Sequence, residues 1–144
     1  MPFAESVGAL VELQRAGKIR HLGISNVTVA QLEQARGIAT IVSVQNEYNV
    51  RNRSGEDVLA ACESLGIAFL PWFPLGGKSC IRAFKIKRVA ARRGVAPAQV
   101  ALAWLLARSR VMLPIPGTQS IGHLVENVCA AALMLAPEDF GDLG

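Results

Sequence analysis

The sequence predicts an α/β fold in which short, strongly apolar strands alternate with amphipathic helices around a parallel sheet. Segments 39–45 and 67–72 are rich in β-branched and aromatic residues, as is typical of strands buried on both faces. Helical periodicity recurs between such segments. The composition agrees, since 51% of the 144 residues are hydrophobic and only 18% are charged. This length predicts a single domain over residues 1–144.

The first half of the chain predicts three helices and three strands. Apolar residues at helical spacing predict the first helix, and Gly17 follows its end. Thr28 and Gln31 form a capping box ahead of the second helix. Residues 54–57 begin the third helix and Gly66 ends it. In order, the predicted elements are helix 6–16, strand 19–25, helix 28–37, strand 39–45, helix 54–65 and strand 67–72.

The second half predicts two helices back to back, followed by a strand and a long helix. Gly94 ends the first helix, and Pro97 occupies a first-turn position in the next. Pro114 and Pro116 cut the strand, and Ser120 can cap the long helix. The predicted elements are helix 81–93, helix 97–108, strand 111–115, helix 120–133 and the start of a helix after Pro137.

Four strands with flanking helices leave two architectures open, a doubly wound sheet or part of a (β/α)₈ barrel, and the pattern alone does not separate them. A closed barrel of eight strands needs roughly 250 residues, so this length supplies only part of one. No G-x-G-x-x-G follows the first strand and no P-loop pattern occurs, which removes the usual nucleotide fingerprints.

Composition and cysteine content argue against several protein classes. No apolar run approaches the ~18 residues that cross a bilayer, and the first residues lack the pattern of a secretory signal. Cys62, Cys80 and Cys129 are widely separated and form no metal-ligand spacing with histidine. Neither a disulfide framework nor a metal site is therefore expected. We expect a cytoplasmic protein that does not enter a membrane.

The net charge of +4 is concentrated in a basic stretch, residues 78–93. This basic stretch could bind nucleic acid, but no nucleic-acid-binding motif accompanies it. A helix whose apolar side faces the core while its cations face water explains the same residues, and this is the interpretation we favour. The cations are Lys78, Arg82, Lys85, Lys87, Arg88, Arg92 and Arg93.

Polar and aromatic residues follow all four predicted strands, where α/β folds gather their ligands. They occupy positions 25–26, 45–49, 72–73 and 117–120. Amides and hydroxyls can pair with a carboxamide, an aromatic can stack on a ring, and the helix start after position 117 favours a phosphate. Each segment alone is more often a turn, but four strand ends that agree indicate a binding site.

The same segments resemble the aldo-keto reductases over nearly the whole chain. Residues 17–26 (GKIRHLGISN) resemble the GKIRxIGxSN segment of that family, and residues 66–77 (GIAFLPWFPLGG) resemble its GIxxxxYSPLxxG strand. Residues 45–49, 97–106 and 115–127 resemble further family segments in the same order. The resemblance implies the C-terminal half of a (β/α)₈ TIM barrel, strands five to eight, with four parallel strands and flanking helices.

The resemblance also implies a site for NADP(H). Ser25, Asn26 and Gln45 match the groups that hold the nicotinamide carboxamide, and Trp72 stands where the family has a Tyr stacked on the ring. Phe73 replaces a Ser near the pyrophosphate. The remaining matches are the diphosphate loop at Leu75 and Gly77, the 2′-phosphate region at Gly117, Thr118 and His123, and the adenine contacts Glu126 and Asn127.

Two departures from the family suggest that NADP(H) binding is weakened or vestigial. Gly117 stands where the family often has a Lys, and His123 stands where it often has an Arg. A histidine that is neutral near pH 7 binds phosphate more weakly than arginine does. NADP(H) is still favoured over NAD(H), but the 2′-phosphate would meet neither the lysine nor the arginine that the family often has at these two positions.

The family's catalytic Asp, Tyr, Lys and His find no matching segment here, so no catalytic residue is assigned. We expect a truncated chain that is inactive alone, with a second copy or a complementary half-barrel as its partner. The alternatives are a non-enzymatic dinucleotide-binding or interaction module and, less favoured, a nucleic-acid binder. An enzyme with an unfamiliar acid would have to use His21 or Tyr48, and a structural role is favoured for both.

Overall fold

The computed structural model describes residues 2–144 as one layer of parallel strands with helices packed against it. Within that range, no helix has the length and apolar character needed to cross a membrane. The elements are α1 (Phe3–Arg15), β1 (Leu22–Ser25), α2 (Val29–Arg36), β2 (Ile41–Gln45), α3 (Glu56–Leu65), β3 (Ala68–Phe69), α4 (Gly77–Ile81), α5 (Phe84–Arg93), α6 (Pro97–Arg108), α7 (Ile121–Cys129), a 3₁₀ turn (Ala130–Ala132) and α8 (Pro137–Leu143).

The sheet has the parallel order β1-β2-β3, and α2 and α3 connect its successive strands. The predicted fourth strand is a single parallel bridge between Phe69 and Met112. Phe69 N–H donates to Val111 O and Leu113 N–H donates to Phe69 O, both at 2.8 Å. Pro71, the next residue that would donate to this segment, has no N–H, so the ladder stops there. The predicted α/β architecture of parallel strands with flanking helices is confirmed.

The predicted helix 81–93 is wrong in one respect, because the chain breaks between α4 and α5 at Arg82 and Ala83. Cys80 and Ile86 are both buried, at 0% and 1% exposure. On one continuous helix, positions six residues apart point about 120° away from each other. The extended backbone of Ala83 (φ −59°, ψ 141°) turns both side chains toward the core. The helix is therefore interrupted because Cys80 and Ile86 must both be buried, and not because a glycine or proline breaks it.

The core is built mainly on α6, where Val100 to Leu105 are buried without interruption. By contrast, α7 buries none of its residues. Its apolar side chains form one exposed stripe at helical spacing, Ile121, Leu124, Val125 and Val128, which we call the α7 stripe. An uncovered apolar stripe of this kind is the surface that a helix normally buries against a neighbour.

Part of the basic stretch joins α5 to α8. Asp139 is fully buried and accepts hydrogen bonds from Arg92 Nε at 3.1 Å and Arg93 Nε at 2.7 Å. Arg88 and Arg92 also pair with Asp142. Three of the cations therefore form ion pairs with carboxylates of α8, which supports the outer-helix interpretation over a nucleic-acid patch.

Candidate functional site

The ends of β1 and β2 place Ser25 beside Gln45. The two residues are partners in the parallel register, as are Gly23 and Ser43, so all four share one face of the sheet. Ser25 Oγ donates to Gln45 O at 2.8 Å, and Asn26 N–H donates to the same carbonyl at 3.0 Å. Ser25 is exposed and Gln45 is half-buried, so both side chains are accessible, and the hydrogen bond to Gln45 O fixes the Ser25 hydroxyl.

Asn26 connects this pair to the end of the third strand. Its backbone lies in the left-handed region (φ 54°), which asparagine tolerates better than most residues. Its Oδ1 accepts a hydrogen bond from Trp72 Nε1 at 2.8 Å. Trp72 N–H in turn donates to Asn46 O at 3.0 Å. The indole is therefore fixed at both its ring nitrogen and its backbone, with the Nδ2 donor of Asn26 beside it.

Asn46 supports this arrangement, although the sequence did not single it out as a site residue. It is buried to 9% exposure and bonds the backbone of Val27 twice, through Nδ2 to Val27 O at 2.8 Å and through Oδ1 from Val27 N–H at 3.1 Å. These bonds fasten the loop after β1 to the end of β2. The signal available in the sequence was an asparagine directly after a predicted strand, since a polar amide that becomes buried there must find partners.

The loop after β3 forms the first of two adjoining cavities. Phe73 also has a left-handed backbone (φ 54°), is 51% exposed and accepts a hydrogen bond from Gly76 N–H at 2.9 Å. A Cβ at Gly77 would lie 3.0 Å from Phe73 Cζ, and Gly77 has φ +70°, so both the ring and the backbone favour glycine there. The cavity, of about 330 Å³, is lined by Phe73, Pro74, Leu75, Gly77, Ile115, Pro116 and Gly117.

The second cavity, of about 340 Å³, lies against the start of α7. It shares Leu75 and Gly117 with the first, so the two adjoin. Six of the twelve predicted cofactor residues line it, namely Leu75, Gly117, Thr118, His123, Glu126 and Asn127. Arg82 and Lys87, which the sequence interpretation had placed on a solvated face, also line it. We call this space the α7 cavity.

Local hydrogen bonds fix the loop that enters the α7 cavity. Thr118 Oγ1 accepts from Ser120 N–H at 3.1 Å, and Ser120 Oγ accepts from His123 N–H at 3.4 Å. The second bond is the N-terminal cap that the sequence predicts for this helix. Thr118 and His123 therefore stand at defined positions on one side of the cavity.

Neither candidate acid lies in a position to serve the site. Tyr48 is fully buried, donates its hydroxyl to Glu56 and stacks on Trp104 with ring centroids 6.1 Å apart. Burial raises the pKa of Tyr48, against the opposing charge of Arg108. His21 precedes β1 and so lies at the amino ends of the strands. Within residues 2–144, no group of three or more His, Cys, Asp or Glu side chains could hold a metal ion.

The structure thus arranges the twelve predicted residues in one path along the carboxyl ends of the strands. Ser25, Gln45, Asn26 and Trp72 make the first part, and Phe73, whose ring centroid is 6.4 Å from that of Trp72, leads to the two cavities. The sequence missed Asn46, Arg82 and Lys87. The signal for Arg82 and Lys87 was that both are cations shortly after a glycine-containing loop. Helical periodicity instead predicted that their side chains face solvent.

Comparisons with known proteins agree on one family. Residues 1–143 match the Aldo/keto reductase family. Pyridoxine 4-dehydrogenase of Escherichia coli is 48% identical over 133 residues, which are 92% of this chain and 46% of that protein. The Schizosaccharomyces pombe oxidoreductase C215.11c is 42% identical over 144 residues, 99% of this chain and 47% of that protein.

Solved structures give the same result. An aldo/keto reductase from Klebsiella pneumoniae, crystallised with NADP and acetate, superposes with a TM-score of 0.89 at 28% identity, covering 99% of this chain and 53% of that one. Aldose reductase from Giardia lamblia gives 0.89 at 26% identity, with 99% and 50% covered. The chain therefore spans about half the length of the relatives that it matches, and its strands and helices follow half of their barrel.

Proposed function

We propose, from the premise that this chain belongs to the aldo/keto reductase family, that it forms the NADP(H)-binding half of an oxidoreductase. The reaction is hydride transfer between a nicotinamide and a carbonyl or alcohol. The observation that carries the proposal is the path from Ser25 through Trp72 to the two adjoining cavities. The Klebsiella pneumoniae relative was crystallised with NADP.

The residues along this path fit the parts of NADP(H). Trp72 offers a flat aromatic face whose orientation is fixed by Asn26. The amides of Asn26 and Gln45 and the hydroxyl of Ser25 provide both donors and acceptors for a carboxamide. The cavity lined by Gly77 has room for a chain of phosphates, and the α7 cavity combines apolar walls with cations, as a phosphorylated adenosine requires. When bound, the cofactor supplies the hydride.

We further propose that the proton for the carbonyl oxygen comes from residues outside 2–144. Tyr48 is fully buried and its hydroxyl donates a hydrogen bond to Glu56. General acid catalysis needs a group within hydrogen-bond reach of the reacting oxygen. This half of the protein then binds and orients the cofactor, and a complementary half completes the reaction. The cytoplasmic location expected from the cysteine content is part of the same proposal.

The α7 stripe supports a complementary half-barrel as the partner. Ile121 is 82% exposed and Val128 66% exposed. Beyond them, Leu113 and Ile115 are also exposed on the segment at the open edge of the sheet. In a closed barrel, the edge strand and the last helix would both be covered by the other half.

Cofactor binding is tested by titrating NADPH against tryptophan fluorescence. We expect quenching, because Trp72 lies on the path while Trp104 is buried at 4% exposure in the core. Trp72→Phe is the matched control, since it keeps an aromatic ring and leaves Trp104 as the remaining emitter. Flat fluorescence up to millimolar NADPH, with no binding by calorimetry, contradicts the proposal. Any turnover assay should include pyridoxine among its alcohol substrates, because the Escherichia coli relative is a pyridoxine 4-dehydrogenase.

The partner is tested by light scattering. We expect the chain to associate, and Val128→Asp to reduce association because it places a charge on the α7 stripe. Gln34→Asp adds the same charge at an exposed position of α2 and should have no effect. A monomer that unfolds cooperatively and binds no dye specific for apolar surface would contradict the proposed partner.

A further inference from the structure

The cations of the basic stretch divide into two groups with different surroundings. Arg88, Arg92 and Arg93 form ion pairs with carboxylates of α8. Arg82 and Lys87 form no ion pair or side-chain hydrogen bond with any residue in the range 2–144. These two cations are the ones that line the α7 cavity.

The break between α4 and α5 is what brings both cations to the cavity. Arg82 is the C-cap residue that follows α4, and Lys87 lies at the end of the first turn of α5. Ile81, from the same break, contributes an apolar wall next to them. The turn that buries Cys80 and Ile86 therefore presents Arg82 and Lys87 to the start of α7.

The opposite wall of the cavity lacks a permanent cation. Gly117 carries no side chain, Thr118 offers a hydroxyl, and His123 offers an imidazole in place of a guanidinium or an ammonium group. Glu126, the one carboxylate in the lining, lies beyond 4.0 Å of both Arg82 and Lys87 and neutralises neither by direct contact. The cavity thus keeps two positive charges without a carboxylate partner, and an anionic ligand would supply one.

We propose that Arg82 and Lys87 bind the phosphate on the adenosine ribose and make the chain select NADP(H) over NAD(H). This inference rests on the proposed cofactor function and deepens it. The selecting charges come from the α4–α5 break, whereas the resemblance assigns the 2′-phosphate region to Gly117, Thr118 and His123. The weakening expected from Gly117 and His123 is then offset by cations on the facing wall. Arg82 has the planar fork that suits a phosphate, and Lys87 adds a point charge.

The test compares nucleotides that differ by one phosphate, using calorimetry with no turnover. In the unmodified protein, NADPH should bind about tenfold or more tightly than NADH, and 2′-phosphoadenosine more tightly than adenosine. Arg82→Ala and Lys87→Ala should each weaken NADPH about tenfold while changing NADH less than twofold. The preference should also shrink as salt is raised, because both cations are exposed.

Lys85→Ala is the matched control. Lys85 lies on the same helix but lines a different cavity, with Arg51 and Leu143, so its removal should leave both affinities unchanged. Arg82→Lys should restore part of the lost affinity because it restores the charge. Circular dichroism should be unaltered in all four variants, since none of these side chains is buried.

Two negative outcomes distinguish a failure of the phosphate assignment from a failure of the proposed cofactor function. If NADPH binds and neither Arg82→Ala nor Lys87→Ala alters its preference over NADH, the phosphate assignment is overturned and the cofactor function stands. If NADPH, NADH and 2′-phosphoadenosine all fail to bind the unmodified protein, the cofactor function and the assignment are both overturned.

Discussion

Gly23 is a position in β1 where one added methyl group would disturb the strand that carries Ser25. A Cβ added there would lie 2.3 Å from Ser43 Oγ and 3.3 Å from Ser43 O. Overpacking of this kind costs about 1–3 kcal/mol. Replacing glycine also lowers the conformational entropy of the unfolded chain, which stabilises the folded state by about 0.4–1 kcal/mol. We therefore expect Gly23→Ala to lower the free energy of unfolding by about 1–2 kcal/mol.

A double-mutant cycle isolates the cause. In a Ser43→Ala background the 2.3 Å contact is gone and the next side-chain atom, Ser43 Cβ, is at 3.6 Å. The cost of Gly23→Ala should then fall, giving a coupling energy of about 1 kcal/mol. Urea unfolding measures it as a change in midpoint at constant m-value. Gly8→Ala in α1 is the control, because nothing lies within 4 Å of its Cβ, and it should be neutral or stabilising.

The reasoning fails if Gly23→Ala costs the same with and without the Ser43 hydroxyl, or if it stabilises the protein as Gly8→Ala should. Cofactor affinity provides a second measurement. Ser25 and Gln45 continue the register of Gly23 and Ser43, so the displaced strand should also weaken NADPH binding. The Ser43→Ala background should restore it.

The remaining predictions concern groups outside the site. Burial opposes ionisation of Asp139, but Ala136 N–H, Arg92 and Arg93 hold its pKa below the usual value. Its stabilisation is complete above the unfolded pKa, about 4, and is lost as the pH falls through the folded value. Thermal unfolding between pH 7 and pH 3 should therefore show an acid-dependent loss that Asp139→Asn removes, with that variant about 2 kcal/mol less stable at pH 7. Burial raises the pKa of Cys62 to about 11 and raises that of Cys80, so a thiol reagent at pH 8 should modify exposed Cys129 alone until denaturant is added. Rapid reaction of all three native thiols would contradict this.

Local signals predicted the ends of several elements well. Thr28 and Gln31 make the predicted capping box, Ser120 caps α7, and Gly66 ends α3 with φ 63°. These features depend on hydrogen bonds within four residues or on the backbone freedom of one glycine, so the neighbouring residues are enough to predict them. The same holds for the polar strand ends, whose position at one rim follows from parallel strands.

Features set by distant packing were predicted less well. The strands are shorter than their apolar segments, because residues outside the ladder are held by loops and not by neighbouring strands. The fourth strand reduces to one bridge, and the long helix 120–133 ends at Cys129 in a 3₁₀ turn. Apolar periodicity indicates which side chains are buried. It does not indicate how many residues of a segment find backbone hydrogen-bond partners on a neighbouring strand.

The high apolar content of the sequence and the open architecture have one common explanation. A sheet covered by helices accounts for the buried residues of α6 and the strands, but it does not account for the α7 stripe or for exposed Leu113 and Ile115. The proposed cofactor path runs along the carboxyl ends of the strands to the start of α7, so the nucleotide would meet the same open side of the sheet. Cofactor binding and closure of the barrel should then be thermodynamically linked, because the cofactor and the complementary half would cover adjacent parts of the same apolar surface. NADPH should accordingly favour association, and a complementary half should tighten NADPH by the same factor.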